Sequence, residues 1–143
     1  MRTALDTNIL SSIWTGAPSA ATTAAQLTRV HAEGALVISA PVFVELSDVP
    51  GLNVPLVRKA LGEMAIAIDF DLGEDVWRLA ATSFAAYSIR RRRSGGGAPK
   101  RLLADFLIAS HALLQADRLM TRDANRYVQD FPGLRLIEQR RPL

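Results

Sequence analysis

Asp6, Glu45, Asp105 and Asp123 are four acids spread along the chain, and their surroundings give little help to a charged carboxylate. Glu45 sits in Pro41-Val42-Phe43-Val44-Glu45-Leu46, and Asp105 in Leu102-Leu103-Ala104-Asp105-Phe106-Leu107-Ile108-Ala109. An ionised acid among apolar neighbours on a buried helix costs several kcal/mol unless something compensates it. Two carboxylates about 4 Å apart repel by about 4 kcal/mol at an effective dielectric near 20, so four that converge need a cation. Arginine is one candidate, yet only Asp123 has an adjacent base, Arg122, and the positions beside the other three are apolar or neutral. The chain has no cysteine, and no histidine lies close to these acids in sequence. An oxygen-only ligand set of this kind favours Mg²⁺ or Mn²⁺ over zinc. Each acid also has a simpler role open to it. Asp6 and Asp123 can cap helices, Asp105 can complement a helix dipole, and Glu45 can be a surface residue.

The elements that must position these acids alternate along the chain. Residues 2–5 read as a short buried strand, followed by a helix over 7–14 that Asp6 or Thr7 can cap. An Ala-rich helix over 20–33 stops at Gly34, and the apolar run 35–39 has a central-strand pattern. Pro41 suits the first turn of a helix over 42–47. A helix over 54–64, a strand over 65–68 and a long helix from 74 to about 89 follow. Val76, Ala80, Phe84 and Tyr87 mark the buried stripe of that long helix. Residues 94–99 read as a loop, 102–116 as a helix apolar almost all round, and 118–121 as a strand. A helix over 123–129 and a last strand over 134–137 complete the series. Alternation of this kind predicts an α/β three-layer sandwich, with a mainly parallel central sheet flanked by helices, in a single domain over 1–143. The functional crevice of such a sheet lies outside the carboxyl ends of its strands, where Asp6, Glu45 and Asp123 fall.

With 143 residues the chain is long enough for one full core, and 49% hydrophobic and 22% charged residues are ordinary for a globular protein. The lack of cysteine excludes disulfides, thiolate zinc sites and a cysteine nucleophile. No apolar run approaches the roughly 18 residues of a membrane span, and the expectation is a cytoplasmic protein with no membrane partner. Net charge is +3, but Arg90, Arg91, Arg92, Arg93, Lys100 and Arg101 hold all of the excess. Taking those six from the 17 bases leaves 11 against 14 acids.

Four motifs follow one another along the chain. They are Leu5-Asp6-Thr7-Asn8-Ile9-Leu10, then Val42-Phe43-Val44-Glu45-Leu46, then Ala104-Asp105-Phe106-Leu107-Ile108-Ala109. The fourth is Leu119-Met120-Thr121-Arg122-Asp123-Ala124-Asn125, followed by Tyr127 and Phe131-Pro132-Gly133-Leu134. Together these motifs resemble those of the PIN-domain nucleases, and the chain length and motif order also resemble the VapC-like toxins of bacterial toxin–antitoxin pairs. Two features depart from the pattern: the Gly-rich basic stretch 90–101, and Phe106, where a small residue is commoner.

The resemblance implies a PIN-like fold in which Asp6, Glu45, Asp105 and Asp123 hold Mg²⁺ or Mn²⁺, with Asn8 and Thr121 positioning a ligand or a water. It also implies RNA as substrate, a VapB-like antitoxin partner and a homodimer. Metal-activated water would hydrolyse the phosphodiester and leave a 5′-phosphate and a 3′-hydroxyl, with no protein nucleophile. On that reading Asp6→Ala abolishes cleavage and leaves the fold intact. The alternative is a non-catalytic RNA- or antitoxin-binding module on the same fold. On either reading Arg90, Arg91, Arg92, Arg93, Lys100 and Arg101 track RNA phosphates, meet an acidic antitoxin, or are only a solvated surface.

Three other signals carry less. Asp69-Phe70-Asp71 resembles a phosphatase nucleophile motif but lacks its following Thr or Val, and reads as a strand end. Residues 94–101 lack the Gly and Ser/Thr that flank the Lys of a phosphate loop. His111 reads as a satisfied core residue, His31 as a helix-end cation, and Trp14 and Trp77 as core or dimer contacts.

Overall fold

A computed structural model describes residues 1–96 and 102–138. Its centre is β1 (Arg2–Leu5), and β2 (Ala35–Ser39) pairs with it in parallel, Thr3 opposite Leu36. On the outer side of β2 lies β3 (Ile66–Asp69), with Ile38 opposite Ile68. On the other side of β1 lies β4 (Arg118–Thr121), followed by β5 (Leu136–Glu138) at the far edge. The order is β3-β2-β1-β4-β5 with every pair parallel. The chain therefore builds outward from β1 in one direction and then returns to build outward in the other. The switch falls between β1 and β4, where a crevice opens at the carboxyl ends of two diverging strands.

Seven helices are seen among the described residues: α1 (Thr7–Trp14), α2 (Ala20–Ala32), α3 (Ala40–Ser47), α4 (Val54–Glu63), α5 (Glu74–Arg93), α6 (Leu103–Gln115) and α7 (Asn125–Val128). Strand residues buried on successive positions, such as Leu36, Val37, Ile38 and Ser39, show that helices cover both faces of the sheet. α6 is buried over the unbroken run from Phe106 to Ala112, as its all-apolar sequence predicts. Gly34 lets β2 start close beside the first residue: a Cβ there would lie 1.7 Å from the Met1 carbonyl oxygen.

Phe106, the departure from the expected small residue, is an aromatic anchor. Its ring meets Phe84 at 5.1 Å, Tyr87 at 5.5 Å and Phe131 at 5.9 Å. These contacts draw the carboxyl-terminal half of α5 against α6 and the segment after α7.

Three local expectations are corrected. α5 ends at Arg93 and not near Ile89; the arginines expected at its end form its last turn, where cations complement the helix dipole. The helix read over 123–129 is only α7, and Asp123 stands in the loop before it. The last strand begins at Leu136, two residues later than read from sequence. Among the described residues no helix is long and apolar enough to cross a membrane. Lys100 and Arg101 lie outside the described residues.

Candidate functional site

Asp6 takes the first position beyond β1. Its N–H donates to the Met120 carbonyl at 2.9 Å and carries the β1–β4 pairing one residue further. Its side chain caps α1, accepting from the Thr7 N–H at 2.8 Å. Oδ2 accepts two more bonds, from Thr121 Oγ1 at 2.8 Å and from the Tyr127 hydroxyl at 2.8 Å. A carboxylate only 2% exposed is thus held by three donors, and its cap role and its site role coincide. Burial, then the Asp6 charge, pushes the Tyr127 hydroxyl far above its ordinary range, so it stays a donor.

Thr121 is the junction of this network. Its hydroxyl donates to Asp6 and accepts from the Asp123 N–H at 3.1 Å and from Asn8 Nδ2 at 3.4 Å. One donor and two acceptor sites are thereby all used. Asn8 Oδ1 accepts the Arg122 N–H at 3.1 Å. Asn8 and Thr121 pin the loop after β4 onto the start of α1, and these side chain-to-backbone bonds hold Asp123 out of a helix.

Glu45 reaches the same end of the sheet from α3. Its Oε1 accepts from Thr7 Oγ1 at 2.6 Å, so Thr7 links two acids, Asp6 through its N–H and Glu45 through its hydroxyl. Burial raises the Glu45 pKa. The Thr7 hydrogen bond opposes that rise, and the charges of Asp6 and Asp105 add to it.

Asp105 and Asp123 meet through a residue that the sequence reading missed. Arg126 places Nη1 3.5 Å from Asp105 Oδ1 and Nη2 3.5 Å from Asp123 Oδ2. The reading that discounted arginine looked only at adjacent positions, and this guanidinium comes from three residues beyond Asp123. Burial works against its charge, but Asp105, Tyr127, Asp6 and Asp123 outweigh burial and raise its pKa further. The one sequence signal was the i,i+3 spacing of Asp123 and Arg126.

All four predicted acids therefore stand at one end of the sheet and interact, directly or through Thr7, Thr121 and Arg126. Among the described residues, however, no group of three or more Asp, Glu or His side chains has the spacing to hold a metal ion. The donor chemistry itself fits a hard divalent cation. Every charged oxygen is carboxylate, Glu45 is disfavoured as an anion by its neighbours, and a guanidinium lies between two of the acids.

The basic segment divides. Arg90 pairs with Asp130, whose side chain is almost fully buried, and Arg91 Nη2 donates to the Gly96 carbonyl at 2.8 Å. Arg92 and Arg93 are exposed, with no partner among the described residues. Asp69 is held by Arg2 Nη2 at 2.6 Å and His111 Nε2 at 2.8 Å. His111 is buried, as the core reading expects, although its Nδ1 finds no partner among the described residues. Trp14 packs against the core, whereas Trp77 is 52% exposed. Trp77 lines an apolar cleft of about 540 Å³ beside Glu45, with Val44, Phe70 and Leu103.

The comparison with curated proteins gives no match. Among solved structures the chain is similar to one described as VapBC2 from Rickettsia felis bound to a promoter DNA fragment. There the TM-score is 0.63 and identity 20%, over 98% of this chain and 100% of that one. A VapBC-1 structure from nontypeable Haemophilus influenzae gives the same TM-score and identity, over 97% of this chain and 98% of that one. FitAcB from Neisseria gonorrhoeae gives 0.59 and 20%, over 96% and 97%. At such identity these likenesses speak for the fold. The family model described as PIN domain matches residues 3–131, from within β1 to Phe131, whose ring packs on Phe106, and this chain belongs to the PIN-domain family.

Proposed function

We propose that the chain is a divalent-metal-dependent endoribonuclease and the toxin of a toxin–antitoxin pair. The observation that carries this reading is the excess negative charge at the switch point of the sheet. The Glu45 pKa is raised by burial and by Asp6 and Asp105, and Thr7 links it to the triply held Asp6, through its hydroxyl to Glu45 and its N–H to Asp6. Asp6, Glu45, Asp105 and Asp123 are the residues that would hold Mg²⁺ or Mn²⁺. Such an ion, when bound, supplies Lewis-acid activation of water and stabilises charge developing at phosphorus.

The chain's own groups do the positioning. Tyr127 and Thr121 fix Asp6 Oδ2, and the Thr7 hydroxyl fixes Glu45 Oε1. Asn8 holds the Asp123 loop against α1 through the Arg122 N–H. RNA is the proposed substrate because Arg92 and Arg93 offer exposed guanidinium forks at the end of α5. The similar structures are described as VapBC or toxin–antitoxin complexes, and by that likeness a VapB-like antitoxin is the proposed partner; a second copy of this chain is proposed from the resemblance of its motifs.

The test is cleavage of end-labelled RNA by the purified chain with Mg²⁺ or Mn²⁺, with chelator, and with Asp105→Asn. Expected are 5′-phosphate and 3′-hydroxyl ends, and loss of cleavage both in chelator and in the variant. Cleavage that persists in chelator overturns the metal-dependent reading. RNA binding without any cleavage would favour a non-catalytic binding module.

A further inference from the structure

Arg126 is the feature of the site that the proposed chemistry does not use. Its two terminal nitrogens face carboxylates from different parts of the chain, Asp105 on α6 and Asp123 in the loop after β4. Both separations are 3.5 Å, longer than the roughly 2.7–2.9 Å of a tight charged hydrogen bond. The Arg126 side chain is 37% exposed and belongs to a helix of four residues, so part of it already meets water. The guanidinium is thus loosely held, between two of the acids proposed as ligands, with a path outward.

The geometry points to Arg126 as a built-in counter-cation that occupies the Asp105–Asp123 side of the site until a divalent ion displaces it. The inference rests on the metal-site reading above. Two cations cannot share the same pair of carboxylates cheaply, so metal entry and guanidinium withdrawal are linked. Apparent metal affinity is then reduced by the fraction of molecules in which Arg126 has already withdrawn. The arrangement also keeps the acids partly neutralised when no metal is bound. A permanent structural brace predicts the opposite: the metal would bind with Arg126 in place, and losing the brace would loosen the site.

The experiment is calorimetric titration of Mn²⁺ into the purified full chain and into Arg126→Gln and Asp105→Asn. Arg126→Gln should bind Mn²⁺ about tenfold more tightly than the unaltered chain, within the usual range of coupling between sites. Asp105→Asn should bind more weakly. Equal or weaker binding by Arg126→Gln overturns the inference. If Asp105→Asn weakens binding while Arg126→Gln changes nothing, the inference alone fails. If no variant alters Mn²⁺ binding, or none binds it, the metal-site reading fails as well. Should Arg126→Gln not fold, the unaltered chain still decides. Nitrogen NMR of its arginine side chains should show one guanidinium shifting on addition of diamagnetic Mg²⁺, and an unchanged spectrum at saturating Mg²⁺ overturns the inference.

Discussion

Replacing Tyr127 by Phe tests the network around Asp6 without changing the shape of the core. The ring is 1% exposed and stays where it is; only the hydroxyl, 2.8 Å from Asp6 Oδ2, is removed. A hydrogen bond to a charged group contributes about 1.5–3 kcal/mol. Thr121 still donates to the same oxygen, which places the expected loss near the middle of that range, about 2 kcal/mol. With a urea slope of about 2 kcal/mol per M, the unfolding midpoint in chelator should fall by about 1 M. Thr121→Val should cost a similar amount, and the double variant should depart from additivity because both donors serve one oxygen. A midpoint shift below about 0.2 M for Tyr127→Phe, with an unchanged slope, would mean that Asp6 does not depend on this bond.

Glu45→Gln should stabilise the metal-free fold at neutral pH. The Glu45 pKa is raised above its ordinary 4.5, so its contribution is complete below that value and is lost as pH rises through the folded value. The advantage of the variant should shrink as pH falls toward 4.5, and a less stable variant at pH 7 in chelator would contradict the charge-excess argument. His111 behaves in the opposite sense: burial lowers its pKa from 6.5, against the pull of Asp69, so its contribution is complete above 6.5 and is lost as pH falls. His111→Gln should therefore flatten the fall of melting temperature on the acid side of 6.5, and a profile as steep as before refutes this. Replacing Arg92 and Arg93 together by Ala should reduce the salt slope of RNA binding by up to about 1.4, at about 0.7 per lost contact, with little change in stability. Arg90→Ala should instead cost about 1 kcal/mol by removing its ion pair with Asp130; urea unfolding and filter binding separate the two effects.

The parts of this molecule that were legible in the sequence are those with a local signature. The apolar runs of β1, β2 and β4, the all-round apolar α6 and the capping position of Asp6 are each decided within a few residues. The missed contacts are long-range. Tyr127 meets Asp6 across 121 positions, Thr7 meets Glu45 across 38, and Arg126 meets Asp105 across 21. None of these pairs has a spacing that repeats, and the sheet order, with β2 and β4 on either side of β1, is what gathers the elements that carry them. The extent of the loop at Asp123 was missed for a related reason. The bonds that keep it from helix come from Asn8 and Thr121, one of them on another element.

That network also changes what an Asp6 variant can report. Removing the carboxylate with Asp6→Ala would strand the Thr121 hydroxyl, which donates only to Asp6 among the described residues, and the buried Tyr127 hydroxyl. Each unsatisfied buried group costs about 1–3 kcal/mol, against a total stability of about 5–15 kcal/mol for an ordinary domain. The expectation from sequence, that Asp6→Ala leaves the fold intact, therefore gives way to a predicted loss of several kcal/mol. Asp6→Asn keeps an acceptor oxygen for both hydroxyls and should be the milder change, while Asp105→Asn touches neither donor. Urea unfolding of the three variants in chelator should rank them Asp6→Ala, Asp6→Asn, Asp105→Asn from least to most stable. If Asp6→Ala unfolds at the same midpoint as Asp105→Asn, the three donors do not hold the buried carboxylate, and Asp6 is not the joint between β1, β4 and α1.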